Sequence, residues 1–203
     1  MSEAYALHVL QQENIRLKDE NRLLQEQLTQ LRYAISALSL IDKSLNTITP
    51  ETDVLALINQ ILAAALQAVG AESGSLLLLD EETDELVFVD VIGSQKAELL
   101  GYRMPANQGI VGAALSKRAP LLVPDVRQDP RWYSQVDDSF GHETRSIMCV
   151  PVMDDGRVLG AIEVINKQGN LPFNREDLEI LRLVARLSSL ALAKAEEVTR
   201  DEG

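Results

Sequence analysis

Residues that build covalent or metal-held frameworks are nearly missing from this chain. One cysteine, Cys149, stands among 203 residues. No internal disulfide can form within it, and a reducing, cytoplasmic setting fits. The two histidines, His8 and His142, have no His, Cys or carboxylate neighbours at metal-ligand spacing. No run of eighteen apolar residues occurs, so no membrane span and no membrane partner are expected. The N-terminus is polar and acidic rather than basic then apolar, so a secretory signal is not expected. Cations are outnumbered, with 19 Lys and Arg against 31 Asp and Glu and a formal net charge of −12. An acidic surface repels phosphate backbones, so nucleic acid is not an expected partner. Neither a glycine-rich phosphate loop nor a Ser/His/Asp set is apparent, and no enzyme is expected. What is present, 46% hydrophobic residues, suffices for one well-cored domain with an appendage.

The appendage is legible as a heptad seam. Leu10, Leu17, Leu24, Leu31 and Leu38 recur every seventh residue, interleaved with Leu7, Asn14, Asn21, Leu28 and Ile35. With the first set at d and the second at a, the pattern predicts a coiled coil over residues 1–45. Asn at an a position pairs with its own copy in a parallel two-stranded coil and is costly elsewhere. Glu13 at g faces Lys18 at the next e of an in-register partner. The expectation is a parallel homodimer held by Asn14, Leu17, Asn21, Leu24, Leu28 and Leu31. No basic region precedes the seam, so a DNA-binding zipper is not expected. Asp42 at an a position loosens the seam, and residues 46–50 break the helix. Thr49 is the expected cap of the next helix, with Pro50 at its first turn.

The domain proper is expected over residues 46–198, with residues 199–203 a disordered tail. Leu55, Ile58, Leu62, Ala65, Leu66 and Val69 share a helical face that Gly70 ends. Strands are predicted at Ser75–Leu79, Leu86–Ile92, Tyr102–Met104 and Leu121–Val123, with a short helix from Gly109. Residues 125–143 form a long polar loop with one short helix, the kind of segment that serves as a lid. Ser146–Val152 and Val158–Ile165 pair through the Asp155-Gly156 turn. Asn174 caps a helix to about Val198, with Ile180, Leu183, Leu187 and Leu190 as its seam. Hairpins dominate, so the fold class is α+β: a six-stranded, mostly antiparallel sheet with the terminal helices packed on one face.

Asn166-Lys167, Phe173 and Asp177 resemble the NK-F-DE signature of the GAF domain family in its cyclic-nucleotide-phosphodiesterase branch. The closing Glu is replaced by Leu178. The likeness spans residues 34–194 and is densest at Ala106–Val111, Val136–Ser139, Thr144-Arg145 and Glu163–Lys167. It implies a small-molecule sensor of signal transduction with a ligand pocket under the lid and a cyclic nucleotide, cyclic AMP or cyclic GMP, as ligand. Carried over, the pocket uses Ser75, backbone groups of Ile110 and Val111, then Tyr133, Asp137, Thr144 and Glu163. Amides at the Gly109-Ile110 helix start suit a phosphate. Tyr133 suits a ring face, and Ser75, Thr144 and Glu163 suit a base or ribose. Ile92 stands where the family places an acid, and Phe140 where it often has Thr. Both make the pocket greasier, to the particular disadvantage of cyclic GMP. Lys167 and Asp177 are read as a structural ion pair, and Cys149 as a small buried hydrophobe. Two readings stay open: a dimeric sensor that relays ligand state through its flanking helices, to an output protein in trans, and a ligand-free dimerisation or docking module. In the second, Phe140, Ile92 and Met148 would fill the pocket.

Overall fold

The structure is a computed structural model; it describes residues 8–22, 24, 25, 28, 35 and 52–201. Residues 8–22 are helical (α1), as are the described positions 24, 25, 28 and 35. Leu10, Leu17, Leu24, Leu28 and Ile35 of the seam are all exposed in the single chain. Leu31, Thr49 and Pro50 lie outside the described residues.

Helix α2 (Val54–Val69) leads into the sheet, and its cap is Asp53, whose carboxylate accepts from the Ala56 amide at 2.9 Å. Gly70 closes it in the left-handed conformation, as expected. The strands are β1 (Ala71–Asp80), β2 (Glu85–Ile92), β3 (Arg103–Pro105), β4 (Leu121–Val123), β5 (Ile147–Asp154) and β6 (Arg157–Lys167). Between them lie α3 (Lys96–Leu99), α4 (Gly109–Lys117) and α5 (Gln135–Phe140), and α6 (Arg175–Asp201) closes the chain. The sheet order is β3-β2-β1-β6-β5-β4 with every pairing antiparallel, so the predicted fold class is borne out. The β5–β6 turn runs through Asp155 (φ 41°) and Gly156 (φ 81°), the pair of positive φ angles that a two-residue hairpin needs.

Helices α2 and α6 cover one sheet face. Leu57, Ile58, Ile61, Leu62 and Leu66 pack with Leu181, Val184 and Ala185 over Leu76, Val150, Ile162 and Val164. The expected faces are rotated slightly. Leu55 is 40% exposed and Leu190 is 44% exposed, because Leu57 and Ile61 on α2, and Leu181 and Ala191 on α6, take the inward positions. Met148, expected as a pocket filler, packs in this helical layer instead. Strand alternation turns it away from the front face that its neighbours Ile147 and Cys149 share. Helix α6 runs to Asp201, past its expected end at Val198. Among the described residues no helix is long and apolar enough to cross a membrane.

The central strands touch closely at Gly160. A β-carbon there would lie 2.0 Å from the Leu77 carbonyl oxygen, so only a residue without one lets β1 and β6 pair in this register.

Candidate functional site

The front face of the sheet carries one row of side chains across five strands. Val91, Ser75, Glu163, Cys149 and Leu121 are consecutive cross-strand partners on β2, β1, β6, β5 and β4. Ser75 and Glu163 form a polar pair at the centre of an otherwise apolar row. Ser75 is buried, and Glu163 is half-buried, with its side chain lining a cavity.

The roof of that cavity is the predicted lid. It opens at Asp125, whose carboxylate accepts from the Arg127 amide and guanidinium and the Gln128 amide group. Those bonds hold its pKa down at about 2. A single 3₁₀ turn (Val126–Gln128) and α5 are the lid's regular elements. At the far end Asp137 receives both the Thr144 amide (2.6 Å) and the Thr144 hydroxyl (2.9 Å). This latch closes α5 onto the strand that follows.

The lid is rooted on the sheet by Asn166. Its side-chain oxygen accepts from the Arg145 amide at 2.8 Å and the Ser146 amide at 3.4 Å, and its nitrogen donates to the Glu143 carbonyl at 2.8 Å. Next in sequence, Lys167 pairs with Asp177 at 2.5 Å. Asp177 also accepts the Asn174 amide while its own amide donates to the Asn174 side chain, a reciprocal cap of α6. Phe173 is buried beneath this junction. The Asn-Lys-Phe-Asp set therefore ties lid exit, β6 and α6 together, and none of its four residues lines the cavity.

All nine residues singled out from the sequence do line it: Ser75, Ile92, Ile110, Val111, Tyr133, Asp137, Phe140, Thr144 and Glu163. The rest of the wall is mainly apolar and aromatic, including Phe88, Leu99, Met104 and Trp132. Helix α4 enters with Gln108 as its cap, with no side-chain capping bond. Its first amides therefore have no intrahelical acceptor and stand at the cavity wall. The acid of β2, Asp90, is turned to the helical face, where both its oxygens accept from Asn59; Val91 packs in the front-face cluster, while Ile92 lines the cavity and packs against the helical layer. The wall residues missed from the sequence include Phe88, Met104, Gln95, Leu99 and His142. The short helix α3 that brings in Gln95 and Leu99 carries no periodic signal over its four residues, and a lone histidine gives no pattern at all.

The cavity has a volume of about 70 Å³, well below the ~300 Å³ at the low end for ligand pockets. That space admits a small fragment and is too small for a nucleotide. Among the described residues, no group of three His, Cys, Asp or Glu side chains could hold a metal ion. Cys149 is fully buried, and desolvation together with the Glu163 charge raises its thiol pKa, which leaves it unreactive.

Glu163 itself is displaced upward to about 7, first by desolvation and then by the charge of Asp137. A raised carboxyl favours the protonated folded state. Its contribution is complete below the unfolded value of ~4.3 and is lost as pH rises through about 7. Between pH 5 and 8 this group is expected to cost the protein on the order of 2 kcal/mol. In chemical denaturation at stepped pH, Glu163→Gln should flatten that slope and exceed the parent in stability at pH 8. Equal slopes in the two proteins would contradict this origin.

A family model described as "GAF domain" matches residues 53–192. The chain is 26% identical over 149 residues to the "Probable 3',5'-cyclic phosphodiesterase pde-5" of Caenorhabditis elegans, covering 69% of this chain and 20% of that protein. It is 27% identical over 160 residues to the "Dual 3',5'-cyclic-AMP and -GMP phosphodiesterase 11A" of Takifugu rubripes, covering 73% and 18%. It thus spans about a fifth of the length of these relatives. Among solved structures, the GAF domain of a phosphoenolpyruvate-protein phosphotransferase from Coxiella burnetii superposes with a TM-score of 0.70 at 18% identity, covering 83% of this chain and 98% of that one. The free methionine-R-sulfoxide reductase of Neisseria meningitidis, in complex with its substrate, gives 0.63 at 23%, covering 81% and 92%. These structural likenesses show a shared fold.

Proposed function

The chain belongs to the GAF domain family, and from that premise we propose that it is a dimeric regulatory sensor that binds a small molecule beneath its lid. The observation that carries this reading is the mostly apolar cavity at the centre of the front face, with Ser75 and Glu163 at its floor. A cyclic nucleotide is the candidate ligand, in keeping with the cyclic phosphodiesterases among the relatives. Its base would meet Glu163 and Ser75, its ring face Tyr133, and its phosphate the α4 amides. The lid is wired through Asn166, Lys167 and Asp177 to α6, so opening it bears directly on a terminal helix. A ligand acts there by favouring one arrangement of the helices over another. The dimer would form through α1, whose leucines are exposed in the single chain, and an output protein in trans would read the change.

The narrowness of the closed cavity favours a second reading, a dimerisation or docking module that binds nothing small. A thermal-shift panel separates the two. At 100-fold excess over Kd a ligand adds about 2.7 kcal/mol, which for a chain of this size raises Tm by about 5 °C or more. Cyclic AMP or cyclic GMP should do so, and no shift with either favours the module. Light scattering at micromolar concentration should give twice the 22.4 kDa chain mass, falling to the monomer when residues 1–45 are removed. A monomeric full chain removes the dimer.

A further inference from the structure

We infer that His142 is a specificity-determining ligand contact, an imidazole carried by the lid that reads the polar edge of a nitrogen heterocycle together with Glu163. The inference rests on the cavity being a ligand site. His142 follows the Gly141 turn that ends α5, and its own amide is fixed by the Asp137 carbonyl at 3.1 Å. His142 lines the cavity, and its Nε2 is buried without a hydrogen-bond partner. Only one other side-chain polar atom among the described residues is in that condition, Ser188 Oγ on α6, and Ser188 does not line this cavity. Native structures rarely leave such atoms unmatched, because each costs free energy unless something meets it.

The surroundings narrow what meets it. Tyr133 is engaged by Gln135, and Asp137 and Thr144 are bonded to each other, so these groups are occupied. The Glu163 carboxyl takes part in no hydrogen bond or ion pair among the described residues and faces Ser75, Cys149 and the lid. Glu163 and His142 Nε2 thus stand with Ser73, Ser75 and Gln95 as the polar groups that can select a ligand, in a wall that is otherwise mainly Phe88, Ile92, Trp132 and Phe140. A carboxyl accepts when ionised and also donates when protonated, and an imidazole nitrogen donates or accepts according to its tautomer. The complementary ligand is flat and apolar on its faces, with an N–H group beside a ring nitrogen or carbonyl on one edge. The purine bases have that edge; benzene does not.

The chain holds only two histidines, so ¹⁵N spectra of the full-length protein resolve both imidazoles. Cyclic AMP, cyclic GMP, adenine, guanine and benzene serve as probes. The expected result is a shift of the His142 Nε2 resonance with the purines and not with benzene, while His8 stays fixed. His142→Phe should weaken purine binding about 10- to 100-fold, the scale of one hydrogen bond to a buried partner. Its Tm without ligand should match or exceed the parent's, since an apolar ring suits the apolar wall. Purines that bind the parent and His142→Phe equally, with the resonance unmoved, overturn the inference and leave the cavity reading intact; so does a variant that loses binding only because its Tm collapses. Failure of every probe to bind the parent overturns the cavity reading and this inference with it.

Discussion

Gly160→Ala is expected to cost about 4 kcal/mol, a large share of the ~5–15 kcal/mol that holds a domain together. The added carbon would stand 2.0 Å from the Leu77 carbonyl oxygen and 2.9 Å from two further backbone atoms of β1. Those atoms belong to the two central strands, so no side chain can swing away to relieve the contact. The strands must separate, and the floor that places Ser75 opposite Glu163 goes with them. Gly70→Ala is the control. Gly70 has a φ of 64° but nothing within 4 Å of a β-carbon, so only the conformational cost of ~1 kcal/mol applies. Urea denaturation of the two variants should separate them by about 3 kcal/mol. A Gly160→Ala protein as stable as the control would show that the strands tolerate a wider spacing.

Asn166→Ala should cost about 3 kcal/mol and act on one region. Asn166 is 1% exposed and sits at φ 58°, a conformation Asn tolerates better than Ala. Its loss leaves the buried Ser146 amide and the partly buried Arg145 amide and Glu143 carbonyl without their partner, each worth up to ~1–3 kcal/mol less whatever water recovers. Hydrogen exchange should quicken most at residues 143–146, the hinge of the lid, while the α2 core stays protected. Uniform loss of protection would mean that Asn166 serves the whole fold rather than the lid.

The sequence marked much of this because its signals are local. Asp155-Gly156 dictates a hairpin, Gly70 a helix stop, and Asn174 with Asp177 a helix cap, each through bonds within a few residues. The pocket residues were legible only through likeness to a family, since Ser75, Asp137 and Glu163 are brought together by strand pairing and not by spacing. Sidedness was the weak point. Ile147 to Val152 is apolar on both faces, so its pattern cannot say which residues meet the helices, and Met148 was assigned to the wrong side. The same limit rotated the inward faces of α2 and α6: where three of four positions in a turn are apolar, periodicity does not single out one stripe. His142 carried no sequence signal, since its significance is a nitrogen without a partner, which only the packed lid reveals.

Trp132 is the sole tryptophan of the chain and stands in the cavity wall, so tryptophan emission reports on this site alone. Titrating the full-length protein with cyclic AMP and cyclic GMP should give a saturable change in that emission with at least one of them. Emission that stays flat to millimolar concentrations of both nucleotides, and of adenine and guanine, would contradict a ligand site beneath the lid.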